Sequence, residues 1–102
     1  MHEVPGQAPP KGAPKFELGR VLMTRGIQAL VIEERCDPWT LVQRHVIGDW
    51  GDLDDEDGLA NEASIHNGGR LMSAYRIDGS LTVWVITEAG REVTTVLLPS
   101  EY

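Results

Sequence analysis

The sequence predicts an α+β fold: two or three short helices packed on one face of a three- to four-stranded antiparallel sheet that ends in a C-terminal β-meander. Three observations carry this expectation. In the first half, apolar residues recur at helical spacing behind the start signals Asp37-Pro38 and Asp54. From Arg70 the apolar period changes to two, and Val, Thr, Ile, Tyr and Trp become frequent. That second stretch is broken at hairpin spacing by Asp78-Gly79 and Ala89-Gly90.

A chain of 102 residues holds about one domain, with room for one modest core. We expect residues 1–14 to form a flexible arm and 15–102 the domain. Hydrophobic residues at 41% and charged residues at 25% match an ordinary globular composition. No apolar run approaches the ~20 residues that cross a bilayer, and the N-terminus lacks the charged, apolar, small-residue order of a signal peptide. A cytoplasmic protein with no membrane partner is the expectation. The single Cys36 cannot form an internal disulfide.

Taken in order, Met1 to Pro14 carries Pro5, Pro9, Pro10 and Pro14, which lack amide donors and read as an extended, mobile arm, with a short docking arm as the alternative. Phe16, Leu18 and Leu22 alternate with polar residues and give a first strand within Lys15 to Thr24. Ile27, Leu30 and Val31 stand at i, i+3, i+4, which predicts a helix over Gly26 to Glu34. Asp37 caps a second helix with Pro38 at its first position; Trp39, Val42 and Val46 form its apolar face, and Gly48 ends it. Asp54 to Asp57 read as the first turn of a third helix, where carboxylates face the positive end of the backbone dipole. Leu59, Ala60 and Ala63 supply its inner face, and Asn67-Gly68-Gly69 stops it.

Three strands follow, over Arg70 to Ile77, Leu81 to Thr87 and Glu92 to Leu98. With two-residue loops at Asp78-Gly79 and Ala89-Gly90, Ala74 opposes Val83, Ser73 opposes Trp84 and Val83 opposes Val96. One face then carries Met72, Ala74, Leu81, Val83, Val85, Val96 and Leu98 and is buried under the helices. The other carries Ser73, Tyr75, Thr82, Trp84 and Thr95. Of these, Ser73, Tyr75, Trp84 and Thr95 form a second candidate surface.

The charge is concentrated. Gly48 to Asp57 holds six acids and Trp50. Between Arg44 and Arg70 there is no Lys or Arg, and the seven acids there account for the whole net charge of −7, the other nine acids being matched by nine Lys and Arg. Such a chain repels phosphate, which argues against direct nucleic-acid binding and for a basic protein surface as partner. The candidate partner-binding residues are Asp49, Trp50, Asp52, Asp54, Asp55, Glu56, Asp57 and Glu62. Trp50, flanked by glycines, is either a plug that pins the loop or an exposed anchor.

Metal and cofactor chemistry find no pattern. A calcium loop starting at Asp52 would need its glycine one residue before Gly58 and a glutamate where Ala63 stands. Cys36, His45 and His66 match no zinc spacing. His45 reads as a hydrogen-bonded structural histidine, with Asp49 placed to fix its tautomer or to close the helix end. No cofactor and no catalytic residue are expected.

Four blocks carry a resemblance: Gly48-Asp49-Trp50-Gly51-Asp52-Leu53, Arg70-Leu71-x-Ser73-Ala74-Tyr75, Trp84-x-Ile86-Thr87-Glu88-Ala89, and Thr94-Thr95-x-Leu97-Leu98-Pro99-x-Glu101-Tyr102. Over Phe16 to Tyr102 the chain resembles a family of short, uncharacterised bacterial proteins borne on plasmids and integrated mobile elements. The resemblance implies an accessory gene on a mobile element; it implies no activity and transfers no catalytic residue. Ser64-Ile65-His66-Asn67 departs from the pattern by being less helix-favouring.

Two function classes follow. The first is an interaction protein, a monomer or weak dimer, similar in kind to anti-CRISPR and anti-restriction inhibitors that mimic nucleic acid with carboxylates and so occupy a nucleic-acid-handling defence complex. The second is a small RNase or toxin-like nuclease in which His45, Arg70, Ser73 and Tyr75 converge as base, phosphate-binding arginine and hydroxyl donors. Beneath both lies a non-catalytic domain whose acids only cap a helix.

Overall fold

Three helices and a five-stranded, mostly antiparallel sheet make up the computed structural model, which describes all of residues 1–102. The strands are β1 (His2–Glu3), β2 (Arg20–Met23), β3 (Leu71–Asp78), β4 (Leu81–Thr87) and β5 (Val93–Leu97), in the spatial order β1-β2-β5-β4-β3. The helices are α1 (Arg25–Ile32), α2 (Pro38–Val46) and α3 (Asp55–Asn67). The predicted α+β class holds, with five strands in place of three or four. β2 falls within the strand expected over Lys15 to Thr24 and runs parallel to β5, and the additional strand is β1, which pairs antiparallel with β2.

The helix starts follow the local chemistry. Thr24 caps α1 by accepting from the Ile27 amide, and Glu101, on a short 3-10 turn over Pro99–Glu101, accepts from the Gly26 amide at 2.9 Å. Asp37 caps α2 with Pro38 at the first position, and Asp54 caps α3 through the Asp57 amide at 2.8 Å. The third helix runs through Ser64 to Asn67 and ends on Gly68 at φ 80°.

Helices α1 and α2 bury apolar stripes on one face of the sheet. The core gathers Val21, Met23, Ile27, Leu30, Leu41, Val42, Tyr75, Val83, Val85 and Val96, with Val4 inserted from the N-terminal segment. Val4 is 1% exposed, and its amide donates to Val21 O at 2.9 Å. The segment expected as a free arm is therefore docked. Prolines remove amide donors but keep carbonyl acceptors, and α2 supplies the donors: Trp39 Nε1–H bonds to Ala8 O at 2.8 Å and the Gln43 amide to Pro9 O at 3.2 Å.

The predicted register of β3 is wrong by one residue, and with it the face assignment. Tyr75 opposes Val83, Ser73 opposes Val85 and Ala74 opposes Trp84, with an irregularity between Arg76 and Asp78. The Asp78 carboxylate accepts from the Ser80 amide at 2.9 Å, so the turn falls at Gly79-Ser80 and Ile77 becomes the extra residue. Ser73 and Tyr75 consequently face the core and are buried, while Met72 and Ala74 lie on the other face. Between β4 and β5 the loop is longer than two residues: Val85 opposes Val96 and Trp84 opposes Leu97, a shift of two that leaves their faces as predicted. The proposed surface of Ser73, Tyr75, Trp84 and Thr95 is thus split between the two faces. Trp84 packs edge to face on Tyr102 at 5.7 Å, and the Arg70 guanidinium lies 4.9 Å from the Tyr102 ring centre.

Candidate interaction edge at the acidic loop

The acidic loop is built onto the outer edge of β3. Trp50 O accepts from the Ala74 amide at 3.2 Å, the Asp52 amide donates to Ala74 O at 2.6 Å, and the Asp52 carboxylate accepts from the Arg76 amide at 2.6 Å. Two residues before Ala74, the Asn61 side chain both donates to Met72 O, at 2.7 Å, and accepts from the Met72 amide, at 3.1 Å. A carboxylate and a carboxamide thus complete the ladder where a further strand would pair. Gly51 carries the chain past Ala74 at φ 73°, where an added Cβ would collide with Ala74 O and the Tyr75 ring.

Trp50 is the plug of the two sequence alternatives. Its indole stacks on Phe16 at 6.2 Å and 18°, meets His45 edge to face at 5.8 Å, and donates Nε1–H to Glu62 at 2.9 Å. Glu62 is therefore engaged inside the edge. Asp49 is engaged too: Arg44 reaches it with Nε at 2.7 Å and holds its carboxyl below the usual carboxylate range. The same guanidinium lies 4.5 Å from the Tyr75 ring centre, and the Tyr75 hydroxyl donates to Asp49 O at 2.6 Å. Asp49 therefore serves Arg44, Tyr75 and the loop, and it does not orient His45.

Helix α3 is unlike its neighbours in how it is held. Its only buried residue is Asn61. Arg91 adds a second latch, donating to Ser64 O at 2.8 Å and to Gly69 O. The inner face expected from Leu59, Ala60 and Ala63 is turned outward, and Leu59 is 71% exposed. Polar partners on Asn61 and Glu62 fix the rotation of the helix, and the apolar residues fall where that rotation leaves them. Asp55, Glu56 and Asp57 stand exposed on the first turn and belong to no ion pair. Between the loop and α3 opens a cleft of about 520 Å³, with Trp50, Leu53 and Leu59 beside Asp49, Asp54, Asp55 and Glu62.

The residues of the nuclease reading come together only in part. His45 and Ser73 meet, with Nδ1 and Oγ 2.6 Å apart, while Nε2 lies 3.0 Å from Thr87 Oγ1. Thr87 and Thr94 hydroxyls are 2.7 Å apart, and Thr94 donates to Leu18 O at 2.7 Å. Because a carbonyl can only accept, the direction of every proton in the chain is set: Thr94 accepts from Thr87, Thr87 accepts from His45 Nε2–H, and Nδ1 accepts from Ser73. His45 is 0% exposed and its pKa is pushed down to about 3 by burial and by the Arg91 charge. Neutral, sealed and with both nitrogens bonded, it has no face for a substrate. Arg70 sits elsewhere, between Tyr102 and Glu88.

No three His, Cys, Asp or Glu side chains are grouped to hold a metal ion, and no helix is long and apolar enough to cross a membrane. The fold and edge define a small α+β protein that presents one acidic helix start outside its own network of bonds. Comparison with protein-family models, with curated proteins and with solved structures gives no match. The chemistry of the edge is therefore argued from its geometry.

Sequence reasoning named the acids but missed what divides them. Asn61, the latch that decides which residues of α3 face outward, carries no periodic signal. Leu59, which helical spacing places in the interior, stands exposed beside the acids.

Proposed function

We propose that this chain is a small acidic interaction protein of a mobile genetic element, which binds a basic surface of a nucleic-acid-handling defence complex as a nucleic-acid mimic of the anti-CRISPR or anti-restriction kind. The observation that carries the reading is the division of the acids. Asp49, Asp52, Asp54 and Glu62 accept internal hydrogen bonds, whereas Asp55, Glu56 and Asp57 are exposed and unpaired. The docking element is accordingly narrower than the whole loop: three carboxylates on one helical turn, with Leu59 one turn further as an apolar contact. A helix that carries acids at its head and an exposed leucine suits a groove rimmed by Lys and Arg. Asp49, Trp50, Asp52, Asp54 and Glu62 shape this element without touching the partner. The mobile-element setting rests on the sequence resemblance.

The test compares wild type with the variant carrying Asp55→Asn, Glu56→Gln and Asp57→Asn, which keeps the Asp54 cap and hence the helix start. Captured from a host lysate at low salt, wild type should retain basic nucleic-acid-handling proteins and release them as salt rises. The variant should lose that capture. Equal capture by both chains, or capture indifferent to salt, would sink the reading.

A further inference from the structure

Residues 8–10 lie along α2 in a manner that fits a ligand. The Trp39 indole donates to Ala8 O at 2.8 Å, and the Gln43 carboxamide reaches Pro9 O at 3.2 Å and Ala8 O at 3.5 Å. Both donors address main-chain carbonyls in front of prolines, and neither depends on an Ala8 or Pro9 side-chain group. This is the chemistry by which aromatic grooves recognise stiff, proline-rich segments: an indole N–H to a carbonyl and ring surface against pyrrolidine.

The chain fills the site incompletely. An apolar cavity of about 330 Å³ opens beside Pro10 and Pro14, walled by Phe16, Leu18, Trp39 and Val46. Lys11, Gly12 and Ala13, which lie between the two prolines, do not line it. The segment is also separable from the core plug. Val4 is buried upstream, the chain bends at Gly6 with φ 67°, and Lys15 N–H rejoins α2 at Val46 O, 2.8 Å away. Residues 8–14 can therefore leave α2 as a loop while β1 and Val4 stay in place.

We infer that the Trp39–Gln43 face of α2 is a binding site for an extended, proline-rich segment of a partner protein, occupied in this chain by its own Ala8-Pro9-Pro10 as a tethered pseudo-ligand. The better ligand has the same carbonyl spacing and a bulky apolar residue after its prolines, which enters the cavity that the chain's own segment leaves open. A short tether holds the internal segment at an effective concentration of order millimolar, so an external peptide competes well only when the internal one is loosened. This site is separate from the acidic start of α3 and does not depend on its partner.

The probe is a synthetic peptide with the sequence of residues 5–14 and leucine in place of Ala13. It is titrated into the full-length chain and into the full-length variant Pro9→Gly with Pro10→Gly, with the indole N–H resonances followed by NMR. The Trp39 signal should move saturably while the Trp84 signal stays, with affinity roughly tenfold higher in the loosened variant. Adding Trp39→Phe and Gln43→Ala to that variant should remove binding, read then by calorimetry. Binding undiminished by those two substitutions overturns the inference. So does a Trp39 signal that stays still in both chains. Peptide-independent dimerisation of the loosened variant, with the Trp39 shift following protein concentration, also overturns it by making a second copy's arm the occupant. Should the glycine variant fail to fold, wild type at millimolar peptide decides alone: a saturable Trp39 shift supports the site and no shift overturns it.

Discussion

Helices α2 and α3 are joined by only a short acidic loop, yet they are held by opposite means. Helix α2 buries Leu41, Val42, His45 and Val46 and is positioned by removal of apolar surface from water. Helix α3 buries only Asn61 and is positioned by side-chain bonds to backbone, through Asn61 on Met72 and Arg91 on Ser64 and Gly69. Apolar burial is non-directional and tolerant of rotation, whereas paired hydrogen bonds fix rotation but release little surface from water. The first kind of helix belongs to the folding core. The second can present an outward face that its own composition would otherwise have turned inward, and it can open without unfolding the rest.

The contrast can be broken most severely at α2. Leu41→Ala should lower global stability by about 2–5 kcal/mol, a large share of the ~5–15 kcal/mol typical of small domains. Urea unfolding should show helix and sheet signals falling together at a lower midpoint; a loss confined to α2 would contradict its place in the core. Acid tests the same helix through His45. Its pKa is near 6.5 when unfolded and about 3 in the fold, so the unfolded state binds the proton first as pH falls. Stability is therefore full above pH 6.5 and should decline by about 1.4 kcal/mol per pH unit through the window between the two values. Asp49, held low by Arg44, adds to the loss only below about pH 4. His45→Gln should flatten the slope between pH 6 and 4, and an unchanged slope would move its origin elsewhere. The smallest effect belongs to α3. Asn61→Ala leaves the Met72 amide and carbonyl unpaired, at a cost of about 1–3 kcal/mol. Hydrogen exchange should quicken in α3 while β4 and β5 amides keep their protection; uniform quickening would make α3 part of the core after all.

The elements that close locally were legible in the sequence. Caps, apolar periods and the Asp54 helix start each act within a few residues, and they placed α1, α2, α3 and the meander close to where they lie. What was hidden depends on partners far along the chain. The β2–β5 pairing joins Val21 to Thr94 and Leu22 to Thr95, which no local pattern announces. The Asp78 carboxylate moved a turn by one residue and so turned Ser73 and Tyr75 inward. The N-terminal segment reads first as mobile because its prolines lack donors, whereas Ala8 and Pro9 dock it as acceptors for Trp39 and Gln43. At the acidic edge the residues were legible as a group. Their division into engaged and free acids was not, because Arg44, Arg76 and Trp50 claim theirs only in three dimensions.

The completed edge of β3 has a consequence for how this protein meets others. The outward backbone groups of Met72 and Ala74, and the Arg76 amide, already have partners, and the opposite border is a strand of two residues. Little free ladder is left for an incoming chain to extend. In this protein, borders of this kind disfavour edge-to-edge stacking into fibres and recruitment by strand addition. Its associations must be written in side chains, where a few substitutions can retune them without rebuilding the sheet.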